Sequence, residues 1–145
     1  MTTHTPSNAA VLRPENLKSY ARGGGARTTP LINRDVGTSS FITGYTTFDG
    51  GAVIPFHSHN CQESVVLMEG EAMMEVDGLE VQLKPHDVTF IPPNLSHRFR
   101  NLSPTNPMKI LWIYENSAAT RTFTETGATA LVSAEHDKDR EEPSL

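Results

Sequence analysis

The chain has 145 residues, of which 37% are hydrophobic and 20% are charged, and its formal net charge is −5. These values are ordinary for one soluble globular domain, and the negative charge argues against a nucleic-acid surface. The single cysteine, Cys61, excludes an intrachain disulfide and favours a reducing cytoplasm. The sequence contains neither a run long enough to span a membrane nor the basic start and apolar run of a signal peptide. We therefore expect a cytoplasmic protein that binds neither nucleic acid nor membranes.

The N-terminal part of the chain precedes the main β pattern. Residues 1–14 are rich in Thr, Ser, Asn and Pro, a composition that predicts a disordered leader. Residues 15–36 contain three consecutive glycines, Gly23 to Gly25, between Arg22 and Arg27. We interpret this second stretch as the beginning of an N-terminal arm of the folded domain.

From residue 41 onward, the pattern predicts short β-strands separated by turn residues. Apolar, aromatic and β-branched residues fill the strands, and Asp77-Gly78 is a two-residue hairpin signature. The predicted strands are Phe41–Phe48, Ala52–His59, Glu63–Met68, Glu71–Val76, Leu79–Leu83, Val88–Ile91, Ser96–Arg100 and Met108–Glu115. A sustained 3.6-residue apolar period is missing, so little helix is expected. The fold class is therefore all-β, a sandwich or a barrel.

The C-terminal part of the chain divides at about residue 132. Ser117–Val132 is rich in Thr and predicts either an additional strand or a packing arm. Residues 133–145 are dominated by charge and predict a disordered tail. Since the sequence shows no internal repeat, we expect a single domain over residues 15–132.

Two runs of the sequence concentrate groups that bind metal ions. The first run, from Gly51 to Gly70, contains His57, His59 and Glu63, and the second run contains His97. Side chains two residues apart on a strand lie on one face, so His57 and His59 can bind one ion together. A buried carboxylate without a partner is costly, and a metal ion is the simplest partner for Glu63. Three imidazoles and one carboxylate suit iron, manganese, nickel or zinc.

The other histidines and the cysteine have simpler interpretations. We expect His4 and His136 to be solvated residues near the termini and His86 to be a turn residue. Cys61 lies between His59 and Glu63, where it is either a thiolate ligand or nucleophile, or a small buried apolar residue. Because the sequence places no base beside it, we favour the buried apolar role.

The two runs resemble the two motifs of the cupin family. The first motif is matched at every position, by Gly51, His57, His59, Glu63 and Gly70. The second motif is matched by Pro92, His97 and Asn101. His86 and Asn94 replace the two glycines of that second motif. Asn tolerates a positive φ better than other non-glycine residues do, so Asn94 is expected to keep the turn.

The resemblance implies a double-stranded β-helix, the jelly-roll barrel of cupins, with little helix. It also implies one divalent metal ion (iron, manganese, nickel or zinc) held by His57, His59, Glu63 and His97. In the family these four positions serve dioxygenases, decarboxylases, isomerases, lyases and proteins that only bind. The fold and the ligand set therefore do not determine the reaction.

A substrate pocket beside the metal needs an apolar wall. The residues predicted to form this wall are Tyr45, Phe56, Met74, Phe99 and Trp112, with Met73 and Tyr114 as further candidates. Such a pocket suits a small organic acid, a sugar derivative or a phenolic compound. We expect a metal-dependent enzyme, with a dioxygenase or an isomerase leading, and the alternative is a non-catalytic protein that binds or senses a small molecule. By strand alternation, Arg98 and Arg100 face away from His97 and are expected at the surface.

The segments outside the motifs bear on assembly. A jelly roll leaves sheet edges, which are usually covered or paired with another chain. Two-fold dimers are the commonest homo-oligomers, and the resemblance also implies a dimer. We predict a homodimer in which the Glu15–Phe48 arm packs on the partner's sheet. The alternative is an arm that folds back on its own barrel in a monomer.

Overall fold

The computed structural model describes residues 2–4 and 9–134 of the chain. Strands dominate the described residues, together with a single-turn 3₁₀ helix at Pro14–Asn16. The strands are β1 (Thr2–His4), β2 (Ala10–Leu12), β3 (Tyr20–Gly23), β4 (Ala26–Pro30), β5 (Ile42–Phe48), β6 (His57–His59), β7 (Glu63–Glu69), β8 (Ala72–Val76), β9 (Leu79–Leu83), β10 (Val88–Ile91), β11 (His97–Asn101), β12 (Met108–Tyr114), β13 (Thr120–Phe123) and β14 (Thr129–Leu131). The all-β prediction is confirmed.

Most of these strands form two antiparallel six-stranded sheets. The first sheet has the order β10-β7-β12-β5-β4-β3, and the second has the order β14-β13-β6-β11-β8-β9. From β5 to β8 the chain changes sheet at every strand, the β8–β9 hairpin stays in the second sheet, and the alternation resumes through β13. This alternation is the jelly-roll architecture, in which the core lies between two facing sheets.

Alternation of side chains along the strands produces the core. In β5, β7 and β12, buried and partly exposed residues alternate at nearly every position. Among the inward-facing residues, Phe48, Leu67, Met108 and Phe99 are almost completely buried. The two sheets therefore enclose one apolar core, and the ends of β6, β7 and β11 reach its interior.

The strand predicted over Ala52–His59 is shorter than expected. Regular pairing covers only His57–His59, and an isolated bridge joins Val53 to Arg100. Pro55 stands between these two pairings and has no backbone N–H to donate to a ladder. The proline therefore divides the predicted strand into a bridge and the short strand β6.

Three turn positions adopt a positive φ where it matters for the site. The values are 80° at His86, 66° at Asn94 and 92° at Gly70. His86 and Asn94 thus keep the backbone conformation of the glycines that they replace. The Asn94 amide donates to the carbonyl of His59 at 2.7 Å, which joins the second run to the end of β6.

The N-terminal residues form additional strands. Within the stretch predicted as a leader, β1 and β2 pair with each other, while residues 1 and 5–8 lie outside the described residues. In the predicted arm, β3 and β4 form a hairpin around the glycine run, and β4 pairs with β5 of the same chain. The described part of the arm therefore extends the first sheet of its own chain, as expected for an arm that folds back on its own barrel. Whether two chains associate stays a prediction.

The C-terminal segment also completes the second sheet. For Ser117–Val132 the extra-strand alternative is the observed one, because β13 pairs with β6 and β14 pairs with β13. Of the predicted tail, residues 135–145 lie outside the described residues. In the described ranges, no helix has both the length and the apolar character needed to cross a membrane.

Candidate metal centre

The four predicted ligands meet between the two sheets. His57 and His59 come from β6, His97 is directly opposite His57 at the start of β11, and Glu63 begins β7 in the other sheet. All four are buried, with exposed fractions of 0–5%. Each of the four side chains points into the barrel, as the alternation of side chains along a strand predicts for His57 and His59.

The distances among these side chains suit a single ion. One ligand nitrogen from each of His57, His59 and His97 lies within 4.8 Å of the others. Glu63 Oε1 lies 3.2 Å from His97 Nε2 and 3.5 Å from His59 Nε2. Neighbouring ligands on one ion with bonds of about 2.1 Å are about 3 Å apart. The three imidazoles therefore form the candidate metal cluster, and the Glu63 carboxylate lies against two of them.

Backbone carbonyls orient all three imidazoles. Nδ1 of His57, His59 and His97 lies 2.8, 2.9 and 2.8 Å from the carbonyl oxygens of Pro55, Thr120 and Leu95. A carbonyl only accepts a hydrogen bond, so each Nδ1 carries a proton, and the Nε2 atoms of His57 and His59 keep an available lone pair. His97 Nε2 lies 3.2 Å from the Glu63 carboxylate, which also only accepts, so a bound metal ion would replace the proton between these two atoms. In metalloproteins, the ring nitrogen of a histidine that does not bind the metal usually donates such a hydrogen bond, which fixes the orientation of the ring. The tautomers of His57 and His59 therefore already suit a divalent cation, and His97 completes the cluster of three imidazoles.

The electrostatics favour the protonation states that bind a metal. Burial, followed by the positive charge of Arg121, holds the pKa of His57 well below its ordinary value. Burial also lowers the pKa of His59 from 6.5 to about 4, although the charge of Glu63 opposes this shift. For Glu63, burial raises the pKa, but the hydrogen bond with His97 and the nearby charges outweigh it and leave the pKa lowered. His57 and His59 are thus neutral, and Glu63 is ionised, at neutral pH.

Two polar residues of the site were not identified as such from the sequence. The Tyr114 hydroxyl lies 3.3 Å from His59 Nε2, and the two rings are 4.7 Å apart. Arg121, which is 4% exposed, is directly opposite His59 in the β13–β6 ladder. The sequence predicts Tyr114 only as part of an apolar wall. Arg121 lies in the Thr-rich segment Ser117–Val132, for which the sequence predicts no role in the site. Arg121 can be identified as a site residue only from its pairing with His59, which forms when β13 joins the second sheet.

The residues predicted for the pocket wall fall into three places. Phe99, Met74 and Trp112 face the barrel interior, and the ring of Phe99 is 6.2 Å from that of His97. Phe56 is half-buried just before β6, and the guanidinium of Arg98 lies 4.2 Å above its ring. Tyr45 is on the outer face of β5, beneath Lys109, and does not join the ligands.

Other side chains near the motifs have structural roles. As expected, Arg98 and Arg100 lie at the surface, where both pair with Glu75. Met73, a further candidate for the wall, is opposite Arg100 and shares its outward face. Burial raises the pKa of the Cys61 thiol, which agrees with a buried apolar role rather than a thiolate.

A cavity of about 310 Å³ lies at one end of the barrel. Its lining includes Trp112, Ser117 and Ala118 and none of the four ligands. The Trp112 ring is 5.2 Å from the ring of Tyr114, which in turn contacts His59. Two aromatic side chains in contact, Trp112 and Tyr114, therefore link the lining of the cavity to the candidate ligand His59.

Comparisons with known proteins agree with this geometry. The cupin domain model matches residues 44–114. A putative ethanolamine utilization protein from Salmonella typhimurium is 23% identical, with 81% of this chain and 94% of that chain covered and a TM-score of 0.67. A sugar phosphate isomerase of the cupin superfamily from Silicibacter pomeroyi is 18% identical (85% and 93% covered, TM-score 0.65). The polyketide cyclase RemF from Streptomyces resistomycificus is 15% identical (92% and 93% covered, TM-score 0.68).

These structural similarities establish the fold and not an activity, because each identity is below 25%. No curated protein matched the chain. The matched region, residues 44–114, contains all four candidate ligands and most strands of the two sheets. With the two motifs and the jelly roll, this match identifies residues 44–114 of the chain as a cupin domain.

Proposed function

We propose that this protein binds one divalent metal ion through His57, His59, Glu63 and His97 and acts on a small oxygen-bearing molecule. The observation that carries the proposal is the orientation of the three imidazoles, each of which donates Nδ1–H to a backbone carbonyl. This arrangement gathers the three imidazoles in a buried site, with the Glu63 carboxylate against His97 and His59. The single thiol, Cys61, agrees with a cytoplasmic setting, which we include in the proposal.

The described residues define what the site contributes to chemistry. His57, His59, Glu63 and His97 would hold the ion and leave part of its coordination sphere to a small molecule, and a bound ion would supply Lewis acidity or electron transfer there. The Nδ1–H bonds hold the rings in place, and the ionised Glu63 supplies negative charge. Phe99 and Met74 line the interior and exclude water, which strengthens electrostatic interactions in the site.

The choice of reaction depends on the groups that can move protons. Among the described residues, the buried imidazoles and carboxylates are the four candidate ligands themselves. Proton transfer would then fall to the Tyr114 hydroxyl or to a ligand that leaves the ion. This favours a dioxygenase, which needs fewer protein acids and bases, over an isomerase. The similarity to a sugar phosphate isomerase keeps isomerisation as the second reaction.

The same observation supports a second function in another class. A site with oriented ligands but few acid-base groups can hold a small molecule without transforming it. The protein would then be a non-catalytic binding or sensing protein in which the metal ion anchors the ligand. Organic acids, sugar derivatives and phenolic compounds are the ligands that we propose for either function.

An activity screen on metal-loaded protein tests the proposal. Protein purified without oxygen is loaded separately with iron, manganese, nickel or zinc and assayed on organic acids, sugar derivatives and phenolic compounds. Oxygen consumption detects a dioxygenase, and NMR of the products detects an isomerase. We expect turnover with at least one metal, and we expect chelation to abolish it while the circular dichroism of the β fold is kept.

The outcomes separate the alternatives. Loaded protein that binds a compound of the panel without converting it is the result expected for the sensing function. Chelated protein that keeps full turnover on its substrate would contradict metal-dependent catalysis.

A further inference from the structure

Arg121 is a buried cation beside the candidate metal centre. Its guanidinium atoms Nε and Nη1 are buried, whereas Arg98 and Arg100 keep side-chain exposures of 28% and 33%. Directly paired residues of antiparallel strands point to the same face of a sheet. Because His59 points into the barrel, Arg121 on the neighbouring strand also points into it.

The guanidinium acts on the ligand set from this position. Arg121 is directly opposite His59 in the β13–β6 ladder, and His57 lies two residues away on the same face of β6, so the guanidinium charge is next to both imidazoles. Interactions of this kind are strong where water is excluded. Arg121 is therefore part of the electrostatic environment of the site, although it is not a metal ligand.

The charges inside the barrel do not balance once a metal ion is present. Among the described residues, the buried side chains with a permanent charge at neutral pH are Glu63 and Arg121, one negative and one positive. Their sum is zero, so a divalent ion leaves a net charge of +2 in a buried site. Buried charge is costly unless it is compensated, and an anionic ligand supplies the compensation.

We propose that Arg121 binds the carboxylate of a metal-bound organic acid, which makes small carboxylic acids the substrate class rather than neutral sugars or phenols. Arginine presents parallel N–H donors that match the two oxygens of a carboxylate. This inference rests on the proposed metal site and narrows its ligand. A purely structural role for Arg121, as a charge partner of Glu63, is the competing explanation.

Calorimetric titration of nickel-loaded protein tests the assignment. The probes are pyruvate and pyruvamide, which have nearly the same shape but differ in charge. The variants are Arg121→Met, Arg121→Gln and Arg121→Lys, and Arg100→Met is the control for loss of an arginine outside the site. Elemental analysis gives the nickel content of each protein, and circular dichroism reports its fold.

We expect the wild-type protein and the Arg100→Met control to bind pyruvate at least about 30-fold more tightly than pyruvamide. In Arg121→Met or Arg121→Gln the ratio should fall to within a few fold of one at unchanged nickel content, and Arg121→Lys should restore part of it. A structural role would change stability or nickel content but not the ratio between the two probes.

Two results overturn the inference and are distinct from failure of the metal site. A wild-type protein that holds nickel but does not prefer pyruvate overturns it. A folded, nickel-loaded neutral variant that keeps the wild-type preference also overturns it. Wild-type protein that takes up no metal would instead refute the proposed function on which this inference rests.

Discussion

The turn before β10 depends on an unusual backbone conformation at His86. Its φ of 80° lies in the left-handed region, and its amide donates to the carbonyl of Leu67 at 2.6 Å. A non-glycine residue in this region costs roughly 1–2 kcal/mol, and Asn is among the best-tolerated exceptions. The strain at His86 is therefore larger than that at Asn94, which has a φ of 66°.

Replacing His86 by glycine should stabilise the protein. Glycine removes the steric cost but makes the unfolded chain more flexible, so we expect a net gain of about 0.5–1 kcal/mol in the free energy of unfolding. Urea denaturation of metal-free protein measures this value. Asn94→Gly should change it little. Gly70→Ala should lower it, because a Cβ would lie 2.6 Å from the carbonyl of Pro107. A lower stability in His86→Gly than in wild type would contradict the strain at this turn.

At the scale of elements, the side chain of Asn101 joins the end of β11 to two loops. Its Nδ2 donates to the carbonyls of Phe48, Asp49 and Asn106, and its Oδ1 accepts from the Ser103 amide. Asn101 is 4% exposed, so water cannot easily replace these partners. The last residue of the second motif therefore maintains the strand that begins with the candidate ligand His97.

Removing this side chain should be strongly destabilising. We expect Asn101→Ala to lower the free energy of unfolding by about 3 kcal/mol, because several buried backbone groups lose their partner. Chemical denaturation followed by tryptophan fluorescence measures the change. Asn60→Ala is the matched control, since Asn60 also bonds two backbone groups but is exposed, and it should cost less than about 1 kcal/mol. Equal losses in the two variants would show that burial of Asn101 does not matter.

Local patterning predicted the strands near the motifs but not the elements that require long-range pairing. Val88–Ile91 and Leu79–Leu83 agree with β10 and β9 residue for residue, because alternation and turn residues are local signals. The break at Pro55 was missed, although proline supplies its cause. The position of Arg121 was not predictable, because its approach to His59 follows from contact between segments 62 residues apart in sequence (121 − 59 = 62).

For the whole molecule, the buried imidazoles link stability to pH in the metal-free state. Burial keeps the pKa of His57 well below its ordinary 6.5 and lowers that of His59 to about 4. In the unfolded chain both residues titrate near 6.5. Between pH 6.5 and about 4 the unfolded state therefore binds more protons than the folded state, and acid favours unfolding.

We expect the free energy of unfolding of metal-free protein to fall as the pH is lowered from about 7 to 4. His59 alone would contribute on the order of 3 kcal/mol, since one pKa unit corresponds to about 1.4 kcal/mol. Urea titrations in the presence of a chelator at several pH values test this, and His59→Asn should show a shallower fall. A free energy of unfolding that stays constant or rises over this interval would contradict the neutral, buried state of the two imidazoles.

The predicted homodimer is a second property of the whole molecule. The Glu15–Phe48 arm ends the first sheet with β3 at its edge, and an open edge favours association with another chain. We expect light scattering to give about twice the 15.9 kDa mass of one chain. If the arm forms the contact, Phe90→Lys at the opposite edge should leave the mass unchanged, although Phe90 is 64% exposed. A mass near that of one chain in dilute solution would rule out the dimer.

The central claim is that four side chains from both sheets hold one divalent ion, and metal content per chain tests it most directly. Elemental analysis of protein supplied with iron, manganese, nickel or zinc should give about one ion per wild-type chain. His57→Ala, His59→Ala and His97→Ala should each lose most of it, and Glu63→Gln should bind more weakly. His86→Asn, a histidine change outside the site, should keep the wild-type content. Wild-type protein without metal under all four conditions, or histidine variants that keep a full ion, would contradict the account.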